Sequence, residues 1–269
     1  GGARSLILRY TSAIWRAPNY SPLIPDHGKL MHLFVIRDSG GPGFAHLHPI
    51  STDSLSFAAN LPPLPAGHYH IFADVVHENG LAQTLTDSLT LAAPPGFAWR
   101  PTDADDAFDV GTAAGTATTP ASLDDRSQMR WTPPAGGLTA GTPVDLTFAV
   151  TGPDGKPSPL EPYMGMTAHA AVERTDAGVF VHLHPMGTTS AGSALAIQLR
   201  ESGDTVRGRL GSRVAAAERT AMPVMEPGQP GTVILPYAFP SPGDYRVWVE
   251  VRRGRRILTG VFTMRVAGG

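Results

Sequence analysis

Six histidines of this chain fall into two sets of one form. His32, His46 and His48 make the first and His169, His182 and His184 the second, with the string His-Leu-His-Pro recurring at His46 to Pro49 and at His182 to Pro185. The lead histidine precedes its pair by 14 residues in the first set and 13 in the second. Such a match points to a duplicated module that has kept its imidazoles while the sequence around them drifted. On a strand, side chains two apart share a face, so His46 and His48 point one way, as do His182 and His184. Two imidazoles so placed can chelate one ion at about 2 Å, with the lead histidine as third ligand from a neighbouring strand and one position left open. The proline after each pair removes a ladder donor and marks a strand end or edge, where a site meets solvent.

Sulfur bears on the identity of the metal. Met164, Met166 and Met186 surround the second set, whereas Met31 stands alone beside the first. Thioether with imidazole favours copper, Cu(I) above all, with zinc as the alternative; methionine is equally a filler of core gaps. A second account of the trios is also open. A histidine that hydrogen-bonds a carbonyl or carboxylate locks a loop, and duplication copies such a lock as faithfully as a metal site. His70 or His77, with Asp74, would complete a first-module site. The second copy has Asp244, Arg246 and Arg253 opposite His68, His70 and His77, so whatever these histidines do is not shared. His27, in the loop before the first strand, is expected at the surface.

Composition bounds the fold and the partners. With 269 residues, 42% hydrophobic and only 16% charged, and with 30 Gly and 26 Pro, the chain reads as turn-rich and all-β, long enough for two domains. Lys and Arg number 21 and Asp and Glu 23, a net charge of -2 that leaves no global field to attract nucleic acid. Cysteine is absent, which excludes disulfides, thiolate zinc, iron–sulfur ligation and an ordinary blue-copper centre. No apolar run approaches the roughly 18 residues that span a bilayer. Gly1 is not a translational start, so a processed or trimmed chain is expected, which leaves room for a removed export signal.

The duplication extends beyond the histidines. Pro65, Gly67, Tyr69, Phe72, Asp74 and Val76 align with Pro242, Gly243, Tyr245, Trp248, Glu250 and Arg252, with a one-residue slip before the glycine, so each copy reads as a turn, a tyrosine-bearing strand and a hairpin. The hairpin tips are expected at Glu78 to Gly80 and Arg253 to Arg255. Leu30 to Ile36 reads as a strand buried on both faces, and Val144 to Val150 as a half-buried one of period 2. Val179 to Leu183, Ile234 to Phe239, Tyr245 to Val251 and Val261 to Val266 complete the second module. The expectation is an all-β chain of two tandem immunoglobulin-like β-sandwich modules joined by a long irregular linker. Its parts are an N-terminal arm at 1–26, module 1 at 27–93, a flexible acidic linker at 94–137 flanked by Trp99 and Trp131, and module 2 at 138–269. Within the arm, Ser5 to Tyr10 reads as an edge strand, followed by Trp15 and Tyr20, which need something to pack on.

The strings Asp26 to His32, Phe44 to Pro49, Pro162 to Met166 and Val181 to Met186 resemble a family of uncharacterised exported or membrane-associated bacterial proteins, over residues 26–266. The resemblance implies a periplasmic, non-catalytic β-domain protein and names no ligand. The chain also resembles, without a motif to carry it, a periplasmic accessory subunit of a bacterial photosynthetic reaction-centre complex. That alternative implies a membrane-associated complex or another periplasmic protein as partner, for which the basic hairpin of Arg252, Arg253, Arg255 and Arg256 offers a contact. A competing class is a cupin-like metal enzyme, since Gly40, His46, His48, Asp53, Pro65, Gly67 and His70 follow the cupin order. An Asp replaces the usual Glu, however, the motif halves lie close together, and the second copy has Arg246 where the last histidine belongs.

Overall fold

In the computed structural model the described residues are 4–16, 20–38, 41–94, 96, 98–221 and 229–269. They form two compact units. In unit 1 the strands are β1 (Arg4–Arg9), β2 (Leu23–Ile24), β3 (His32–Arg37), β4 (Phe44–Leu47), β5 (Ile50–Ser51), β6 (Ser56–Leu61), β7 (Gly67–His77), β8 (Ala82–Leu91) and β9 (Ala107–Asp109). One sheet has the order β1-β6-β5, the other β2-β7-β3-β4-β9, with β8 paired to β7. Unit 2 repeats the plan with β10 (Ala121–Ser122), β11 (Gln128–Thr132), β12 (Leu138–Thr139), β13 (Val144–Thr151), β14 (His169–Arg174), β15 (Phe180–Leu183), β16 (Thr232–Tyr237), β17 (Gly243–Arg253) and β18 (Arg256–Ala267). Its sheets run β10-β11-β13-β16 and β12-β18-β17-β14-β15.

Each unit is a sandwich because alternate residues of its two sheets meet in one core. Leu33, Val35, Ala45, Leu47, Tyr69, Ile71 and Ala73 lie inside unit 1, and Ala170, Val172, Leu183, Tyr245, Val247 and Val249 inside unit 2. A tyrosine corner marks both as immunoglobulin-like. Tyr69 donates its hydroxyl to the Pro65 carbonyl at 2.8 Å, and Tyr245 donates to the Ser241 carbonyl at 2.8 Å. Each corner opens on a glycine at positive φ, Gly67 at 157° and Gly243 at 148°, because the last arginine of the neighbouring strand, Arg37 or Arg174, fills the space a Cβ would need. The alignment of the two tyrosine strands therefore holds residue by residue. Leu30 to Ile36 runs through β3, buried on both faces from Leu33 to Ile36, and the two hairpin tips fall where expected.

The edge strand expected at Ser5 to Tyr10 is found in the first module: β1 pairs antiparallel with β6 and β2 pairs with β7, while residues 1–3 and 17–19 of the arm lie outside the described residues. Two other expectations about segments need correction. The span 94–137, expected as a flexible linker, is long and largely irregular but holds β9, β10 and β11, and its two ends belong to different units. Its composition hid short pieces in which Met129 and Trp131 alternate with polar residues and enter the unit 2 core. Trp99 is pinned in unit 1, donating its Nε1–H to the Asn60 carbonyl at 2.9 Å. Finally, residues 189–221, expected in module 2, fold with unit 1 as two helices, α1 (Ala191–Glu201) and α2 (Leu210–Ala221). Ser190 caps α1 by accepting the Ser193 N–H at 3.0 Å, and the pair packs Ala196, Leu210 and Val214 on Ile24 and Val76. A boundary drawn along the chain misses an insertion that returns to an earlier unit.

Candidate metal centre

The two trios are built alike. His32 opens β3 and His169 opens β14; His46 and His182 stand on the adjacent β4 and β15, with His48 and His184 just past the strand ends. The register pairs Phe34 with His46 and Ala171 with His182, so the three rings of a set share the sheet face opposite the sandwich core. All six are buried, from 0% to 6% exposed.

Within unit 1, His32 Nδ1 lies 3.1 Å from His46 Nε2, and the His48 ring centroid is 5.0 Å from that of His32 and 4.6 Å from that of His46. Within unit 2, His169 Nδ1 lies 3.2 Å from His182 Nε2, and the His184 ring is 5.0 Å from His169 and 4.2 Å from His182. Ligand atoms of His169, His182 and His184 all fall within 4.8 Å of one another, whereas in the first set, among the described residues, His48 does not join His32 and His46 within that distance. Two nitrogens bound to one tetrahedral ion at about 2.05 Å stand about 3.3 Å apart. The observed pairs are close to that separation.

The outer nitrogens are held as metal ligands need. His32 Nε2–H donates to the Asp26 carbonyl and His169 Nε2–H to the Tyr163 carbonyl, both at 3.1 Å. A carbonyl only accepts, so the proton sits on Nε2 and the Nδ1 lone pair points into the cluster. The carbonyls come from matching turns. Asp26 bridges Lys29 around His27 (φ 51°) and Gly28 (φ 78°), and Tyr163 bridges Met166 around Met164 (φ 48°) and Gly165 (φ 81°). Burial pushes the His32 imidazole down to about 4, partly offset by the Asp26 carboxylate, so at neutral pH the ring is uncharged, with its Nδ1 in contact with His46 Nε2.

Unit 1 adds a carboxylate behind its third imidazole. His48 Nδ1–H faces Asp106 Oδ1 at 3.2 Å, so a metal held by this ring would take Nε2. Asp106 also accepts the backbone N–H of His48 at 2.7 Å, Thr102 at 2.8 Å and Asp103 at 2.9 Å, while burial raises its carboxyl to about 6. Lys29 draws the same segment in through Asp103 at 2.6 Å and Asp105 at 2.9 Å. Asp106 lies in the span expected as linker. Its signal was three acids within four residues, which read as solvated.

A second acid was only half recognised. Asp74 is the cross-strand partner of His32, and Glu250 the cross-strand partner of His169. Burial lifts Asp74 to about 7, against a hydrogen bond from Thr84, and lifts Glu250 well above the usual carboxylate range. His70 and His77, expected to join Asp74, are engaged elsewhere. His70 lies edge-on to His68 and Phe72, and His77 contacts the Ser21 carbonyl, Gln83 and the rings of Trp15 and Tyr20. His27 is buried at 6% exposure rather than at the surface, because α2 folds over its turn: Glu218 accepts the N–H groups of His27 at 2.7 Å and Gly28 at 2.9 Å. The same turn caps α1, since the Asp26 carboxylate accepts the Gly192 N–H at 2.9 Å.

The remaining expectations divide. Met31 and Met166 are buried, but Met186 is 62% exposed in the turn after His184, which removes one thioether from the argument for Cu(I). The cupin set does not assemble. Asp53 is spent on the Leu55 N–H in its own turn, His70 sits with His68 and Phe72, and Gly40 lies outside the described residues. The basic hairpin is partly consumed inside unit 2, with Arg253 on Asp125 and Arg252 over the Tyr163 ring at 5.3 Å.

A family model described as "Domain of unknown function (DUF8832)" matches residues 11–91 and 121–206. The chain belongs to that family. The DUF8832 match falls in two segments that carry one histidine trio each. No curated protein matches. Among solved structures, the chain is similar to the chicken CNTN1 FN1-FN3 domains at 10% identity and a TM-score of 0.22, covering 99% of this chain and 63% of that one. A chimeric titin Z1Z2 functionalized with a KLER exogenous peptide from decorin follows at 12% identity and a TM-score of 0.20, each chain covered fully. Titin domains z1z2 in complex with telethonin give 12% identity and a TM-score of 0.18, with 100% of this chain and 90% of that one covered. At such scores the likeness adds nothing to the fold, which rests on the sheets and tyrosine corners. Among the described residues no helix is long and apolar enough to cross a membrane.

Proposed function

We propose that this chain is a non-catalytic, exported accessory protein that holds one transition metal in each module, of copper type, on a three-imidazole face. The observation that supports this is the repeated pair of nitrogens at 3.1 and 3.2 Å, each with its outer N–H fixed by a carbonyl from the same kind of turn. A loop lock needs the carbonyl bond alone. It does not need a second imidazole nitrogen set against the first lone pair and a third ring buried beside the two. Imidazole suits copper and zinc alike, so zinc is the competitor for the same donors. The role of such sites is metal carriage or metal-dependent docking on a periplasmic or membrane-associated protein.

Titration of the metal-free chain with Cu(I), Cu(II) and Zn(II), read by calorimetry and by chelator competition, tests the reading. Two equivalents are expected, with copper displacing zinc. Absence of stoichiometric uptake would sink the metal reading and leave the loop-lock account.

A further inference from the structure

The two modules differ on one side, and unit 2 shows what unit 1 lacks there. β1 and β13 are counterparts, as each pairs with the strand before its tyrosine hairpin, β6 or β16; β8 and β18 are the matching hairpin partners. In unit 2 the space between β13 and β18 is closed by a further strand. β11 adds antiparallel to the outer edge of β13, and its Met129 and Trp131 are buried in the core. Met129 reaches β18 so closely that a Cβ on Gly260 would lie 2.7 Å from its sulfur.

In unit 1 β1 is the last strand of its sheet, and the same side is open. A cleft of about 420 Å³ lies there, walled by Leu6 and Leu8 of β1 and Leu85 and Leu89 of β8, with Phe57 and Ile71 behind them. Its ends are defined. Arg4 ties one end by donating to the carbonyls of Ala92 at 2.9 Å and Ala93 at 2.7 Å, and Tyr10 stacked on Trp15 at 3.8 Å forms the other. The Tyr10 hydroxyl, in this wall, is buried with no hydrogen-bond partner among the described residues. Charge also distinguishes the two sides. Asp87 faces Ile71 in the hairpin register where unit 2 pairs Phe262 with Val247, so a carboxylate occupies a position that is aromatic and buried in the copy. No ion pair reaches Asp87 among the described residues; its carboxylate accepts the N–H of Ser88 at 2.8 Å, and Arg9 lines the same cleft from β1.

We propose that this cleft accepts one extended segment of a partner polypeptide, added to the β1 edge as β11 is added to β13, with apolar residues flanking a lysine or arginine that meets Asp87. The main-chain edge is available for it. Tyr10 N–H points inward, to the Leu55 carbonyl, so by the alternation of an antiparallel pair the Ile7 N–H points outward from the sheet. Strand addition uses such an edge for affinity and side-chain pockets for specificity.

The test uses the full chain and two labelled synthetic peptides, one with the sequence of residues 126–133 and one with the same sequence carrying Met129→Lys, read by fluorescence anisotropy. The lysine peptide is expected to bind with a dissociation constant on the order of 10 μM and the parent more weakly. Asp87→Asn should reduce the lysine peptide's affinity roughly tenfold, the size of a lost charge-assisted contact. Ile7→Pro should abolish binding by either peptide. Ile7 is 69% exposed and its N–H lies off the ladder, so the fold tolerates that change; Leu85→Glu gives the same readout should it not. No binding at about 1 mM peptide, or binding indifferent to both Ile7→Pro and Leu85→Glu, overturns the proposal. So does uptake of an apolar dye in the cleft without peptide binding, which would make it a pocket for a small apolar molecule.

Discussion

The two modules carry one trio on equivalent strands but support it differently. In unit 1 the turn beneath the lead histidine is clamped by inserted helices, through Glu218 and Gly192, and the third imidazole leans on Asp106. In unit 2 the matching turn lies under the Arg252 guanidinium, at the Tyr163 ring. The imidazoles were kept while their scaffolding was exchanged. What the copies share is therefore the arrangement of the rings, and what they do not share is the set of groups that holds each arrangement in place.

The sharpest way to break that comparison is to remove one trio at a time. His46→Ala with His48→Ala should reduce uptake from two metal equivalents to one, and His182→Ala with His184→Ala should do the same for the other site, each with about 100-fold or greater loss of affinity at the altered module. Calorimetric titration of both variants decides this. Loss of both equivalents from either change would mean that the modules do not bind independently.

The half-buried acid opposite the lead histidine gives the next largest effect. The folded Asp74 carboxyl lies near 7, above its ordinary 3.8, so folding favours the protonated form. That contribution is complete below about pH 4 and is lost as pH rises through about 7. His32, lowered to about 4, acts in the opposite sense and loses stability as pH falls from 6.5, so the wild-type profile alone is flattened. The difference between Asp74→Asn and wild type isolates the acid. It should widen in favour of the variant by up to roughly 4 kcal/mol between pH 4 and pH 7.5, measured by urea unfolding of the metal-free chain. A pH-independent difference would refute the assignment.

Two smaller effects sharpen the contrast. Gly260→Leu, which copies Leu85 of unit 1 into unit 2, should destabilise by about 1–3 kcal/mol in thermal unfolding, because Met129 already fills that space. Glu218→Ala leaves the turn at His27 and Gly28 without its acceptor and should cost about 1–2 kcal/mol. Its metal effect should fall on the first site alone, seen by titrating the variant in each single-trio background.

Much of the site was legible before the fold was known. Repetition of His-Leu-His-Pro and of the lead histidine named all six imidazoles, and the spacing of two within each pair placed them on one face. The aligned strands carried Tyr69 with Tyr245 and Asp74 with Glu250, and these are the residues that form the corners and face the lead histidines. Asp106 escaped because it approaches His48 through a loop 58 residues away, and nothing local marks an acid that will be buried. The helices escaped because α1 and α2 are alanine-rich and bury little, so their stripe is faint against the strand pattern around them.

The sequence alone determined the duplication, the all-β class and the six imidazoles, since residue identity and a period of two follow from covalent chemistry and strand geometry. Tertiary structure decided which carbonyl or carboxylate stands behind His32, His169 and His48, where residues 189–221 pack, and which module keeps an open side. Those outcomes rest on contacts between residues far apart in the chain. Their energies depend on burial and distance, and neither exists until the sheets have closed.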